Sequence, residues 1–326
     1  MGLQSATPRP GTRVLSGGFS DAGRVRSVNQ DSFFVGEVSS KGYLALVADG
    51  MGGHQTGEVA SQKAVETFRR ELQRSRVHPP AAIARAMQIA NHEVYNYAMD
   101  HPEHRGMGTT LTALLVDDQV GLIGHVGDSR AYLIRDEEIT LLTHDHSWVA
   151  DRVRQGMLTE DEARRHRWRN VITNALGSTL KIRLDLRHFE IRSGDRVLLC
   201  SDGVSMLLSD TMMLQIVSEY PPEEAARKLV LEADNRGSPD NVTAVVVEVS
   251  SILERAKRYQ LPYSYQEPKT IDLGETMSGI RKVEEDFSVQ GFLSQLRRQS
   301  WYPYRGWLLG SLYLILLFVL FSTTWR

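Results

Sequence analysis

Cysteine is nearly absent from this sequence: Cys200 stands alone in 326 residues. No disulfide can form within the chain, and a single thiol fits a reducing cytosol. Neither sign of charge is in excess. The 38 basic and 40 acidic residues leave a formal net charge of -2, which gives no reason to expect nucleic acid as a partner. His and Cys never cluster at zinc-ligand spacing. No apolar stretch near the N-terminus has the form of a secretory signal, and no internal repeat is visible.

What is present is a 41% apolar chain, long enough for a sizeable core. After an N-terminal tail, residues 1–13, the stretch 14–250 reads as one globular unit. Its β-like runs are GYLALVAD, QVGLIGHVGDSRAYLIR, DRVLLCSDG and NVTAVVVEV. Helical patterns fill Glu58–Leu72, Ala81–Met99, Ser147–Gln155 and Pro222–Ala233, and Thr159 with Glu162 predicts a capping box. Strands arrive in hairpin pairs with helices grouped between them. That order predicts an antiparallel α+β architecture rather than a doubly wound parallel sheet.

The strand GYLALVAD runs into DGMGGHQTGE, placing Asp49 at its tip and glycines behind it. A carboxylate at the end of a buried strand costs several kcal/mol unless something positive meets it. Asp128 in HVGDSR, Asp202 in CSDG and Asp240 in SPDN repeat the arrangement. A single Asp beside Gly is usually a turn residue. Four at the ends of apolar strands suggest convergence on one site, and converging carboxylates repel until protons or cations intervene. Magnesium or manganese suits such oxygen ligands. A site of that kind performs hydrolysis by a metal-bridging hydroxide, with phosphorus esters the usual target. A cation should hold the phosphate, and Arg26 in GRVRSVNQDSF is the candidate; its bland alternative is a surface charge.

These residues carry a resemblance. DAGRVRSVNQDSF, VADGMGGHQTGEVAS, GMGTTLTALLV, HVGDSRAYLIR, HDHSWV, RNVITNALG, LLCSDGVS and SPDNVT occur in that order between Ser16 and Val249. The chain resembles the metal-dependent PPM family of Ser/Thr protein phosphatases, the protein phosphatase 2C type, in its compact bacterial form. The resemblance implies a β-sandwich of two antiparallel sheets flanked by helices, with two Mn2+ or Mg2+ ions at one end. It implies that Asp49 bridges the ions, that the Gly50 carbonyl binds one of them, and that Asp202 and Asp240 ligate the other. It implies a third, weaker ion held by Asp128 with Asp202, a phosphate-binding role for Arg26, and a general acid near the glycine turn, assigned to His54. Asp31 is placed behind the ligands, orienting a bound water, and Gln30 stands where some members have Glu. The segment 143–177 resembles the family's flap, with RRHRWR as a basic lip or simply a solvated helix end.

Two other readings compete. A cysteine phosphatase needs a thiolate and a phosphate-cradling loop closed by arginine, but Cys200 is followed by SDGVSM and lies in an apolar strand. A PPM fold kept only as an inactive signalling or binding module would have lost ligands, whereas the three core aspartates, Arg26 and the glycines are all here.

After Ser250 the character changes. Residues 251–305 are mixed in charge, without a sustained period, and read as a linker. Residues 306–325, GWLLGSLYLILLFVLFSTTW, contain no charge, and twenty helical residues span roughly 30 Å, the thickness of a bilayer core. Trp301, Tyr302, Tyr304, Trp307 and Trp325 mark the two interfaces, and Arg297, Arg298 and Arg305 predict that what precedes the span is cytoplasmic. The expectation is a single-pass anchor in the cell membrane. The partners implied are phosphorylated proteins, a membrane-bound Ser/Thr kinase and its substrates.

Overall fold

Strands packed between two layers have no solvent face, so their sequences read as unbroken apolar runs. That is why Leu44–Ala48 and Leu111–Val116 are buried at every position. The computed structural model describes residues 12–38, 42–53, 56–117, 120–252 and 269–273. In chain order the elements are β1 (Arg13–Asp21), β2 (Asp31–Glu37), β3 (Tyr43–Met51), α1 (Thr56–Arg74), α2 (Pro79–Asp100), β4 (Gly108–Thr109), β5 (Leu111–Asp117), β6 (Val120–Val126), β7 (Arg130–Arg135) and β8 (Glu138–Leu141). There follow α3 (Trp148–Arg154), α4 (Glu160–Arg165), β9 (Ile182–Glu190), β10 (Arg196–Cys200), α5 (Asp202–Ser205), α6 (Asp210–Glu219), α7 (Pro222–Asn235), β11 (Val242–Ser251) and β12 (Lys269–Leu273).

The strands pair antiparallel in two sheets, one ordered β1-β11-β10-β7-β8 and the other, of seven strands, ordered β12-β9-β6-β5-β3-β2 with β4 paired to β3 beside that path. Period-two alternation divides each central strand between two cores. Ala45 and Val47 face the inter-sheet layer with Val197, Leu199, Val245 and Val247. Leu44 and Leu46 face the other way, against α1 and α2. Leu198, Cys200, Ala244 and Val246 pack under α6 and α7. The result is helix, sheet, sheet, helix, the sandwich expected from the resemblance. Each fully buried Leu or Val contributes about 1.5–3 kcal/mol.

Local chemistry sets the helix ends. Pro79 and Pro80 open α2, where their missing N–H groups cost nothing. Thr159 and Glu162 form the reciprocal capping box at α4. Outside the strands and helices read from the sequence lie β1, β2, β4, β5, β8, β9, α5 and α6. The run QVGLIGHVGDSRAYLIR also divides differently. It breaks at Gly127–Ser129 into β6 and β7, which belong to different sheets. Gly127 makes the crossing with φ +114°, and a Cβ there would lie 2.5 Å from the Thr110 side chain.

The stretch read as a linker contributes β12, which pairs with β9. The expected membrane span, residues 306–325, lies outside the described residues, and among the described residues no helix is long and apolar enough to cross a membrane.

Candidate active site

The hairpin β2–β3 sets two carboxylates face to face: Asp31 and Asp49 are register partners. Like charges directly opposite destabilise a sheet. The other acidic groups come from elsewhere in the sandwich. Asp128 lies at the β6–β7 crossing, Asp202 follows β10 and Asp240 precedes β11. The three-dimensional arrangement makes them one electrostatic unit. Burial holds the Asp49 carboxyl well above its ordinary range, and Asp31, Asp202, Asp128 and Asp240 add to the rise. Asp31 is pushed up to about 7, first by burial. Asp202 is pushed up to about 6 by burial and then by Asp240. Asp128 is raised well above its ordinary value by burial, Asp202 and Asp145.

Asp31 has support on one oxygen. Its Oδ2 accepts from Ser201 Oγ at 2.8 Å and Thr243 Oγ1 at 2.6 Å, and Thr243 bonds in turn to Ser20 at 2.6 Å. The Oδ1 atoms of Asp31, Asp128 and Asp202 are buried without a hydrogen-bond donor among the described residues. Three orphaned carboxylate oxygens within one acidic field fit hard divalent cations, which take oxygen ligands and offset negative charge. Among the described residues, however, no three His, Cys, Asp or Glu side chains are gathered tightly enough to make a finished ligand set.

The glycine after Asp49 has a packing reason. Gly50 N–H donates to the Gln30 carbonyl at 3.1 Å. A Cβ at Gly50 would lie 2.1 Å from the Gly57 carbonyl oxygen and 2.5 Å from that of Gln30. Three segments meet there: the end of β3, the start of α1 and the loop that carries Arg26. Gln30 takes part through its backbone, its N–H donating to Asn241 Oδ1 at 2.9 Å.

Arg26 is half-exposed. Its Nη2 donates to Asp240 Oδ2 at 2.8 Å and its Nε to the Pro239 carbonyl at 3.3 Å. Asn241 fixes the loop that presents it, donating to the carbonyls of Ala22 and Val28 at 3.0 and 2.9 Å. Sequence reasoning passed over Asn241, although it is the last letter of the quoted SPDN. His146 was also missed, inside HDHSWV. Its Nδ1 accepts from the Gly127 N–H at 3.1 Å and from Asn174 Nδ2 at 2.8 Å. Two donors on Nδ1 assign the proton to Nε2, which donates to Asp185 Oδ2 at 3.2 Å. The root of segment 143–177 is thus tied to the residue before Asp128.

Within that segment Arg164, Arg165, Arg167 and Arg169 are exposed, as a solvated helix end would be. Arg167 lies 4.7 Å over Trp168, and Trp148 stacks on His166 at 4.9 Å. Cys200 is fully buried, and burial pushes its thiol up to about 12. His54 lies outside the described residues.

Residues 22–235 match the family model for protein phosphatase 2C. The chain belongs to the protein phosphatase 2C family. It is 40% identical over 233 residues to the serine/threonine protein phosphatase PstP of Mycobacterium tuberculosis, a match that covers 71% of this chain and 44% of PstP. The chain therefore spans less than half the length of that relative. It is 34% identical over 235 residues to the serine/threonine phosphatase stp of Listeria monocytogenes, covering 70% of this chain and 93% of stp. A crystal structure of the PstP catalytic domain in complex with two manganese ions superposes with a TM-score of 0.65 at 36% identity, covering 72% of this chain and 97% of that one. The protein phosphatase 2C match thus falls on the described sandwich.

Proposed function

We propose that this chain hydrolyses phosphoserine and phosphothreonine in proteins, with manganese or magnesium as cofactor. The observation that carries the reading is the field of five carboxylates, three with orphaned buried oxygens, beside the Arg26 guanidinium. The relatives support it, since those named above are serine/threonine phosphatases and one holds two manganese ions.

Asp49, the Gly50 carbonyl, Asp202 and Asp240 would hold two ions, and Asp128 with Asp202 a weaker third. When bound, such ions lower the pKa of water and offset charge on the phosphoryl oxygens. The chain's own residues do the rest. Arg26 binds two phosphoryl oxygens through its planar fork. Asp31, held on Oδ2 by Ser201 and Thr243, has Oδ1 left over to orient a bound water. His54 donates a proton to the departing Ser or Thr alkoxide. The Cys200 thiol takes no part, because a thiol titrating near 12 supplies no thiolate at neutral pH.

The C-terminal residues 306–325 anchor the chain in the cell membrane, with the phosphatase domain in the cytoplasm near a Ser/Thr kinase and its substrates. The uncharged run of twenty residues and the arginines before it support this. Hydrolysis of a phosphothreonine peptide by the full-length chain is the test of activity. It is expected with manganese and absent in excess EDTA; full turnover in EDTA removes the metal reading. For the anchor, release of the protein from membranes by alkaline carbonate would overturn the proposal.

A further inference from the structure

Without β12, β9 would be the outer strand of the seven-stranded sheet. A bare edge presents unpaired N–H and C=O groups and invites another strand. Residues 269–273 fill that place. The chain leaves the five-stranded sheet at Ser251 and returns through residues 252–268 to pair with the other sheet.

The pairing has a definite register. Ile271 stands opposite Leu184 and Leu273 opposite Ile182, apolar residues opposite buried apolar residues of β9. Asp272 stands opposite Arg183 and Thr270 opposite Asp185. A slip of one residue would set Ile271 and Leu273 opposite charged positions, so residues 270–273 agree with this alignment, while Lys269 stands opposite Leu186 at the strand's end.

The backbone also has a partner to offer. Arg183 spends both its groups on one side chain: its N–H donates to Asn174 Oδ1 at 3.0 Å and its carbonyl accepts from Asn174 Nδ2 at 2.7 Å. Backbone groups alternate in direction along a strand. Those of Leu184 and Leu186 therefore point to the opposite edge, where β12 lies.

We propose that residues 269–273 are a docking strand that binds β9 in cis and fixes where the remaining C-terminal region departs from the folded domain. Tethering by residues 252–268 gives an effective concentration of roughly millimolar, so a strand too short to bind in trans stays docked. The docked strand also braces the root of segment 143–177, because Asn174 and His146 are both held by β9, through Arg183 and Asp185. The reach of the C-terminal region is set by residues 274–305 rather than by the whole of 251–305.

Hydrogen exchange on the full-length chain in mild detergent tests this. Ile271→Pro removes the N–H that faces Leu184. Thr270→Glu sets a carboxylate opposite Asp185. In both variants the amides of Leu184 and Leu186 should exchange at least about tenfold faster than in the parent chain, while those of Asp185, which faces β6, and Leu114 on β5 keep their rates. Thr270→Ser should match the parent. Equal rates at Leu184 and Leu186 in all chains would overturn the proposal, because the edge would then be open in solution. Acceleration that reaches Leu114 to the same degree would also overturn it, since the change would belong to the whole sheet and not to a docked strand.

Discussion

Arg26 and Asp240 are joined by a 2.8 Å ion pair, so the residue assigned to phosphate and a residue assigned to metal share a hydrogen bond. A reading from sequence alone keeps the two roles apart, with guanidinium on the substrate and carboxylate on the ion. The geometry couples them. A carboxylate oxygen bonded to Arg26 is less available to a cation, and a guanidinium bonded to Asp240 has one fewer donor for phosphate.

Arg26→Ala should therefore act in two directions. Loss of charge-assisted bonds to phosphate, each worth about 1.5–3 kcal/mol, should raise KM for a phosphopeptide roughly tenfold to a hundredfold. Manganese affinity should hold or rise, because Asp240 Oδ2 loses its competitor. Calorimetry with manganese decides: an affinity falling as far as in Asp49→Asn would mean that Arg26 supports the ions rather than the substrate.

Asp49→Asn should remove most activity and yet raise thermal stability in EDTA. The four carboxylates around Asp49 each raise its proton affinity, which means that each repels its charged form. An amide relieves that repulsion. A gain of about 1 kcal/mol corresponds to roughly 2–4 °C in Tm. The variant should also lose the further rise that manganese gives the parent. A lower Tm in EDTA than the parent would show that the Asp49 carboxylate holds the metal-free fold together more than its neighbours' repulsion weakens it.

His125 gives the acid limb of stability. It is fully buried, its Nδ1 bonds Thr112 Oγ1 at 2.9 Å, and its Nε2 donates to the His144 carbonyl at 3.1 Å. Burial, then His146, pushes its pKa down from 6.5 to about 3. The folded-state pKa is depressed, so the unfolded chain binds the proton first. The contribution is complete above pH 6.5 and is lost progressively as pH falls toward 3. His125→Asn should lower Tm at pH 8 but flatten its decline between pH 6.5 and 4, measured against the parent at constant EDTA. Parallel curves would remove His125 from the account.

Cys200→Ser should keep substantial activity. The side chain packs beneath α6 and α7, so the hydroxyl has a modest packing cost and no chemical one. A folded, manganese-binding Cys200→Ser chain without activity, or a trapped phosphocysteine, would reverse the assignment.

The strands GYLALVAD, RVLLC and NVTAVVVEV were legible because double burial leaves them no polar positions. The acidic site was legible for the same reason: Asp49, Asp128, Asp202 and Asp240 interrupt apolar runs where only turns are expected. β9 had a signal too, since Ile182, Leu184 and Leu186 alternate with Arg183, Asp185 and Arg187, but the charged half of the pattern hid it. The interruption at Asp128 was legible, but the change of sheet between β6 and β7 was not, because only tertiary packing shows it. Asn241 and His146 were opaque for another reason. Asn241 bonds partners more than two hundred positions away, and His146 reaches Asp185 on β9 and Gly127 at the end of β6 from a separate segment. No local period records such bonds.

β1 pairs with β11 along its whole length, from Arg13 opposite Ser251 to Asp21 opposite Val242. Chains are synthesised from the N-terminus at about 5–20 residues per second, so β1 waits roughly 10–40 s for its neighbour. Asp31 waits equally long for its last donor, because Ser201 follows β10 and Thr243 lies on β11. The β2–β3 hairpin can pair Asp31 with Asp49 early, but Asp202 and Asp240 join them only once β10 and β11 are made. On the proposed function, a ribosome-bound fragment ending before Val242 should therefore be inert toward manganese and toward a phosphopeptide alike.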